Sequence, residues 1–212
     1  MTAGPVGDEP ATPGSPSALP GVRYGTIARF EDERGSFREL WREDTFGPID
    51  PADAGTPAVA GTPAVGQPRF VQANLSSSLR GVLRGLHLHR RQLDHWLVAR
   101  GRAFVALVDV RPMLAGADRP LVETRELAVD HWVDIPVGVA HGFLALDELE
   151  LIYLVTNPYD GSDELGFAWD DPLAAIRWPS VPGSADGRPI LSARDRSNPP
   201  LDALVARLRA ER

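Results

Sequence analysis

The sequence predicts an all-β fold, a sandwich or closed barrel of short strands followed by one short C-terminal helix. Short runs of apolar, β-branched and aromatic residues alternate with turn residues over much of the chain, and no convincing helix separates them. This pattern is typical of sheets packed on one another and not of alternating βαβ units. With 212 residues the chain is long enough to bury one core, so we expect a single domain.

Nine segments combine strand-like composition with flanking turn residues. The predicted strands are Tyr24–Phe30, Phe70–Leu75, Gly81–His89, His95–Arg100, Ala103–Val110, Leu121–Ala128, Trp132–Ile135, Gly142–Leu146 and Leu149–Thr156. At the C-terminus, two prolines precede an apolar stripe at helical spacing, which predicts a helix that packs on the barrel. The stripe consists of Leu201, Leu204, Val205 and Leu208.

Two segments have a composition that cannot bury a core. Residues 1–22 are rich in Pro, Gly, Ala and Ser and predict a disordered tail. A second such segment, at about 47–68, contains AGTPAV twice in tandem, at 54–59 and 60–65. Two copies are too few for a solenoid. We therefore expect a flexible surface insertion within one domain that spans residues 23–212.

Composition and missing motifs exclude several classes of function. The chain has no cysteine, and its 22 basic residues are all arginine, which excludes disulfides, thiolate metal sites and lysine Schiff bases. A formal net charge of −7 argues against nucleic acid as a partner. No apolar run could span a membrane and no signal peptide opens the chain, so we expect no membrane partner and a cytoplasmic location. GxGxxG, GxSxG and HExxH motifs are absent, which leaves the five histidines as the source of chemistry.

Two of these histidines lie in one predicted strand. His87 and His89 are two residues apart and should therefore project from the same face, whereas Arg84 should face the other way unless a bulge intervenes. We expect Leu86 and Leu88 to occupy the core between the sheets, which leaves the imidazoles facing a barrel interior or cleft. Because a buried histidine needs polar partners, this arrangement favours a functional site.

A third histidine follows a turn. Pro136 and Gly138 shape the turn, and His141 comes at the start of the next predicted strand. The His-x-His and Pro-x-Gly-x-x-His patterns together resemble the two signatures of the cupin superfamily. His95 and His131 each precede a tryptophan at a predicted strand edge, and we expect both at the surface or at an interface.

Several longer stretches resemble one family, the dTDP-4-dehydrorhamnose 3,5-epimerases. They are FEDERGSFRELW at 30–41, FVQANLSSSLRGVLRGLH at 70–87, GRAFVALVDVR at 101–111, IPVGVAHGFLAL at 135–146, WDDPLAAIRWP at 169–179 and ILSARDRSNPPL at 190–201. The resemblance implies a cupin-type double-stranded β-helix, or jelly-roll barrel, that forms a homodimer and needs no metal or other cofactor. It also implies a nucleotide-sugar substrate, a dTDP-linked 4-keto-6-deoxyhexose whose carbon centres beside the ketone are inverted.

The same resemblance assigns roles to individual residues. It implies His87 as the catalytic base, Asp195 as the carboxylate that orients it, and Tyr153 as the acid on the opposite face of the sugar. Substrate contacts are implied for Arg34, Glu39, Gln72, Asn74, Arg84 and His141. These residue types suit the reaction, because a proton beside a ketone is acidic enough for histidine to remove.

Two departures from the family pattern leave alternatives open. His89 stands where the family has glutamine, and Asp94 aligns with a family lysine. With these two residues, His87, His89, Asp94 and His141 would form the ligand set of a metal-dependent cupin enzyme. Loss of the lysine could instead leave a barrel that binds sugar nucleotides without catalysis. The sequence also leaves open whether C3, C5 or both are inverted.

Overall fold

Two five-stranded antiparallel sheets face each other in this computed structural model, which describes residues 16–42, 69–159, 161–181 and 187–211. The strands are β1 (Arg23–Thr26), β2 (Arg29–Asp32), β3 (Gly35–Arg38), β4 (Gln72–Ser78), β5 (Leu83–Leu88), β6 (Asp94–Arg100), β7 (Arg102–Asp109), β8 (Leu121–Ala128), β9 (His131–Ile135), β10 (Val139–Ala145), β11 (Leu149–Val155) and β12 (Leu165–Gly166). The helices are α1 (Arg111–Leu114), α2 (Ala193–Arg196) and α3 (Leu201–Ala210), and a 3-10 turn spans Gly161–Asp163.

The strand order is that of a double-stranded β-helix. The first sheet runs β1-β9-β6-β11-β4 and the second runs β12-β5-β10-β7-β8, while β2 and β3 form a separate hairpin. Consecutive strands therefore cross repeatedly from one sheet to the other, as in a jelly roll. The predicted all-β barrel with a short C-terminal helix is confirmed, although the first predicted strand is divided into β1 and β2.

Strand β7 shows how the sheets are stabilised on both faces. Val105 and Leu107 enter the core between the two sheets, whereas the alternating residues Ala106 and Val108 enter a second cluster beneath α3. Successive strand residues point to opposite faces, so an uninterrupted apolar run is needed where both faces are covered. The four residues of the predicted helical stripe all belong to the second cluster, which confirms that the helix packs on the barrel.

The N-terminal segment is incorporated into the barrel earlier than predicted. Leu19 and Val22 are buried in the core between the sheets, although both fall in the predicted tail. Ser17 hydrogen-bonds the Glu123 carboxylate at 2.9 Å and ties the segment to β8. The rest of that tail and the predicted insertion at 47–68 lie outside the described residues. No described helix is long and apolar enough to cross a membrane.

A bulge between β5 and β10 determines which side chains enter the barrel. His141 pairs with His87, but the next pair along is Phe143 with Arg84. Two residues of β5 therefore oppose the single Gly142 of β10, which reverses the alternation and turns Arg84 to the same side as His87. We expected Arg84 to face away from His87 unless a bulge intervened, and the structure contains such a bulge.

Gly85 allows this bulge because it has no side chain. Its φ is +127°, and a Cβ there would lie 2.6 Å from the Cα of Gly142 and 2.9 Å from the carbonyl oxygen of His141. Only glycine adopts such a backbone conformation readily. The backbones of β5 and β10 can therefore approach closely only with glycine at both positions.

Gly85→Ala is expected to lower the free energy of unfolding by about 3 kcal/mol or more, since it adds a backbone clash to a strained conformation. Gly116→Ala is the matched control, because Gly116 has φ +109° and its Cβ would meet nothing within 4 Å. The control should cost only the conformational term, roughly 1–2 kcal/mol. Chemical denaturation of both variants measures the difference. Equal losses would show that the contact with Gly142 carries no constraint.

Candidate active site

The barrel interior holds a cavity of about 360 Å³ that both sheets line. Strands β4, β6 and β11 contribute alternate residues from the first sheet, and β5 and β10 contribute from the second. The volume suits a small-molecule ligand, and the lining combines apolar side chains with many polar groups. The polar lining includes Gln72, Asn74, Arg84, His87, His89, Asp94, His141 and Tyr153.

His87 is held by a carboxylate distant in sequence. Its Nε2 lies 2.8 Å from Oδ1 of Asp195. A carboxylate accepts hydrogen bonds, so Nε2 carries the proton, and Nδ1 is the nitrogen left to accept a proton from a ligand. His87 retains about a quarter of its side-chain exposure at the cavity, whereas Asp195 is buried behind it. The pair therefore has the geometry of an oriented general base.

The short helix α2 fixes Asp195. Ser192 caps this helix, and its Oγ accepts a hydrogen bond from the Asp195 backbone N–H at 3.0 Å. The same hydroxyl donates to Oδ2 of Asp195 at 2.9 Å, so both carboxylate oxygens are hydrogen-bonded. Burial opposes ionisation of Asp195, but the hydrogen bond and charge of His87 outweigh it and hold the pKa of the carboxyl below its usual value.

Tyr153 approaches the cavity from the other sheet. It lies on β11, is partly buried, and pairs in register with Asn74 on β4 and Trp96 on β6. Burial raises the pKa of its phenol, and the negative charges of Asp94 and Glu164 raise it further. The phenol is therefore protonated at neutral pH and is a proton donor facing the His87 side of the cavity.

Four of the predicted substrate contacts line the same cavity: Gln72, Asn74, Arg84 and His141. Gln72 donates to Asn74 at 2.9 Å, and Oε1 of Gln72 accepts from the backbone N–H of Tyr159 at 3.0 Å. Arg84 donates through Nε to Oγ of Ser78 at 3.0 Å. Among the described residues its guanidinium forms no ion pair, so its charge is available to an anionic ligand.

Arg34 and Glu39 are the predicted contacts that the single chain does not bring to the cavity. Arg34 sits at the tip of the β2–β3 hairpin, where its side chain is 84% exposed and pairs with Asp32. Glu39 is exposed just after the hairpin and lies 3.3 Å from Arg42. Neither residue lines the cavity of its own chain.

A second polar group lies deeper in the barrel. The side chains of His89, Asp94 and His141 converge there, all three are buried, and Asp94 lies 3.4 Å from Nε2 of His141. Burial lowers the pKa of His141 to about 4, against the opposing effect of Asp94. His87 is not a member of this group, although the sequence placed all four residues in one possible metal site.

The expectation that His95 lies at the surface or at an interface is wrong. His95 is 1% exposed and its Nδ1 lies 2.7 Å from Oδ1 of Asp134, a residue of the neighbouring strand β9. Asp134 in turn pairs with Arg23 at 2.9 Å. Asp134 is 39 positions away, so no local pattern around His95 indicates this partner. His131, by contrast, is half-buried at the start of β9.

Some cavity residues were missed by the sequence reasoning. Gln92, Trp96, Phe143, Glu164 and Arg194 also line the cavity. For two of them a signal was available: Trp96 and Phe143 are two positions from Asp94 and His141 on β6 and β10, and strand alternation places such neighbours on one face. Glu164 and Arg194 form an ion pair with each other, and neither had such a signal, because Glu164 precedes β12 in a loop and Arg194 lies on the short helix α2.

The fold and the cavity define a class of protein: a cupin-type barrel whose cavity is lined by an aspartate-paired histidine from one sheet and a tyrosine phenol from the other sheet. The model of the dTDP-4-dehydrorhamnose 3,5-epimerase family matches residues 16–203. The chain therefore belongs to this family, and the predicted isomerase class is confirmed with it.

Individual relatives agree with this assignment. The chain is 33% identical over 197 residues to the dTDP-4-dehydrorhamnose 3,5-epimerase of Salmonella typhimurium, covering 88% of this chain and 93% of that protein. It is also 33% identical to a dTDP-4-dehydrorhamnose 3-epimerase of Streptomyces niveus, covering 85% of this chain and 80% of the relative. The Legionella pneumophila 3,5-epimerase crystallised with dTDP-4-keto-L-rhamnose has a TM-score of 0.70 and 27% identity, covering 91% of this chain and 94% of that one.

Asp195→Asn is expected to destabilise the protein by about 2 kcal/mol at pH 7, because hydrogen bonds to a charged carboxylate are lost. Since the folded pKa of Asp195 lies below its ordinary value of 3.8, its contribution is complete above that pH and is lost as the pH falls through the folded pKa. The stability difference between wild type and variant should therefore shrink below about pH 4. Asp170→Asn, at an exposed position, is the control. A difference that stays constant from pH 7 to pH 3 would contradict the assignment.

Proposed function

We propose that this chain epimerises a dTDP-linked 4-keto-6-deoxyhexose at C3, C5 or both. The observation that carries the proposal is the placement of the His87–Asp195 pair on one side of the cavity and Tyr153 on the other. Inversion of a carbon requires removal of a proton from one face and delivery to the opposite face. Two groups of suitable chemistry on the two sheets meet that requirement.

In the first step, Nδ1 of His87 removes the proton from the carbon beside the ketone. The C–H electron pair delocalises onto the carbonyl oxygen and gives an enolate. The ionised carboxylate of Asp195 stabilises the imidazolium that forms, and it keeps the ring in the tautomer that presents Nδ1. Asp195 acts through His87 and is a positioning residue.

In the second step, Tyr153 donates its phenolic proton to the opposite face of the same carbon. The C=C electron pair of the enolate forms the new C–H bond, the ketone is restored, and proton exchange with water resets both side chains. The raised pKa of Tyr153 keeps the phenol protonated until it is used. The phenol is a weak acid, but the enolate carbon is a strong enough base to accept its proton.

The remaining polar groups support binding of the substrate. Arg84 has a free charge and a planar guanidinium, which suit a phosphate oxygen or the negative charge of the enolate. Gln72 and Asn74 offer amides at the side of the cavity that Tyr153 occupies. His141 lies on the same side of the cavity as His87, because the two residues are opposite each other in the β5–β10 pair.

We also propose that the protein is a homodimer in which the β2–β3 hairpin packs on a second copy. Phe30 and Phe37 pair across the hairpin and are 62% and 69% exposed. The outer edge of β4 pairs with no strand in the described part of the chain, and Leu75 and Leu79 beside it are more than 60% exposed. Two complementary apolar surfaces, one with an open strand edge, favour a two-fold exchange of hairpins.

Such an exchange would give Arg34 and Glu39 a role. Strand β4 carries Gln72 and Asn74 into the cavity, so a hairpin added at this edge would bring its tip close to the substrate. The Arg34 guanidinium would then reach the cavity of the partner and not its own. This arrangement supports the sequence-based assignment of Arg34 as a substrate contact.

His87→Asn should abolish both isotope exchange and inversion, with rates reduced by about a hundredfold or more. NMR of dTDP-4-keto-6-deoxyglucose in deuterated water measures both, since deuterium replaces hydrogen at the reacting carbon. Tyr153→Phe should lose inversion to a greater extent than exchange, because His87 can still remove a proton and return a deuteron to the same face. His131→Asn, a matched substitution away from the cavity, should behave as wild type. If the wild type exchanges no faster than the protein-free control, the proposal is wrong for this substrate.

Mixing two inactive variants tests the dimer. Arg34→Ala and His87→Asn should each be impaired alone, but a heterodimer contains one cavity with neither change. Random reassembly of equal amounts should restore roughly a quarter of wild-type activity. Light scattering should give twice the mass of one chain. If the mixture shows only the average of the two variants, Arg34 does not act across an interface.

A further inference from the structure

The buried group of His89, Asp94 and His141 has no role in the proton transfers just described. One nitrogen or oxygen atom from each lies within 4.8 Å of the others, and the three residues are 7%, 3% and 4% exposed. All three line the substrate cavity. We refer to them as the inner triad.

Hydrogen bonds on the far side of each ring determine which nitrogen faces inward. Nδ1 of His89 lies 3.0 Å from the carbonyl oxygen of Asp163, and Nδ1 of His141 lies 3.2 Å from the carbonyl oxygen of Val139. A carbonyl oxygen can only accept, so Nδ1 must carry the proton in both rings. In each neutral imidazole Nε2 then carries a lone pair. In both His89 and His141 this lone pair lies on the side of the ring away from the carbonyl oxygen.

Asp94 is oriented in the same manner. Its Oδ1 accepts from Nε2 of Gln92 at 2.7 Å, and its Oδ2 accepts from Nε1 of Trp96 at 3.3 Å. These donors hold the carboxylate in place while Oδ2 remains 3.4 Å from Nε2 of His141. Atoms bound to one zinc ion at about 2.1 Å lie roughly 3–3.5 Å from one another, so this pair already has the spacing of two ligands.

The inner triad therefore brings three acceptors together without a donor among them. Lone pairs and a negative charge that converge in a buried space repel one another unless a cation lies between them. Two kinds of cation would fit: a proton shared between His141 and Asp94, or a metal ion bound by all three. The outward hydrogen bonds from both Nδ1 atoms are the arrangement that metal-bound histidines usually have.

We propose that His89, Asp94 and His141 bind one divalent transition-metal ion whose open coordination positions face the substrate cavity. Two imidazoles and one carboxylate suit zinc, iron, manganese or cobalt. His87 is not a ligand, because its ring nitrogens are not among the atoms that converge within 4.8 Å of one another, and its Nε2 is engaged by Asp195 at 2.8 Å. The metal site and the catalytic base consequently use different residues, and one barrel accommodates both.

The bound ion would have a specific use in enolisation, an inference that rests on the proposed function. The chain contains no lysine, so no ammonium group can stabilise negative charge on the ketone oxygen. A divalent ion in the same cavity would polarise that oxygen and stabilise the enolate while His87 removes the proton. The ion would act on the oxygen and the histidine on the carbon.

Metal binding can be measured without any sugar substrate. Untagged protein is treated with chelator, dialysed and titrated with Co²⁺, whose visible absorption reports nitrogen and oxygen ligation, and with Zn²⁺ in a calorimeter. We expect one ion per chain for the wild type. Asp94→Asn and His141→Gln should each weaken binding by about a hundredfold or more, since each removes a ligand. His87→Asn and His131→Gln should bind as the wild type does.

The possible outcomes distinguish metal binding by the inner triad from a role of the bound ion in enolisation. If the wild type binds neither ion up to millimolar concentration, or if His87→Asn weakens binding as much as His141→Gln, the proposed ligand set is wrong, whatever the exchange activity. If the ion binds as expected, deuterium exchange of the chelated protein should rise about a hundredfold on adding it back. Exchange that is equally fast with and without the ion would overturn the role in enolisation. Absence of exchange in both forms, with the ion bound, would contradict the proposed function and leave the metal site supported.

Discussion

The close approach of β5 and β10 is the constraint on which the active site depends. Gly85 faces the backbone of Gly142, and the bulge at this contact turns both Arg84 and His87 into the barrel. In a regular ladder, residues three apart would face opposite sides. In that case either the Arg84 guanidinium or the His87 imidazole would point away from the cavity. Packing of two glycines thus determines the chemistry available inside.

The barrel interior carries many polar groups, and neighbouring side chains or backbone groups hold several of them by hydrogen bonds. Asp195 is fixed by the cap of α2, and His89 by the backbone of the 3-10 turn at residues 161–163. Asp94 is fixed by Gln92 and Trp96. Because burial without partners would cost several kcal/mol for each group, these outer hydrogen bonds allow the cavity to keep its inward-facing lone pairs and charges.

Much of the fold was predictable because it follows from local alternation. The apolar run of β7 predicts a strand covered on both faces, and the spacing of His87 and His89 correctly places both in the barrel. The prediction was wrong for the alternating leucines: Leu86 and Leu88 pack beneath α3 and not between the sheets. The alternation of side chains along β5 was predicted correctly. Alternation alone does not show which face of the strand lies between the sheets and which lies beneath α3.

Contacts between distant residues were not predictable from pattern. Asp195 is 108 positions from His87, and only the family resemblance connected them. The separation of His87 from the inner triad depends on ring orientation, which strand periodicity does not determine, so the sequence left one histidine with two competing roles. Arg34 and Glu39 illustrate a different limit, since their proposed place requires a second chain.

A crystal structure with a dTDP-linked 6-deoxyhexose that has a hydroxyl in place of the 4-keto group tests the central claim most directly. This analogue binds but cannot enolise. If the proposed mechanism is right, C3 or C5 of the sugar lies between the two sheets, with Nδ1 of His87 and the phenolic oxygen of Tyr153 each about 3–3.5 Å away on opposite faces. A sugar with both residues on one face, or with His87 out of reach of either carbon, would contradict the proposed mechanism.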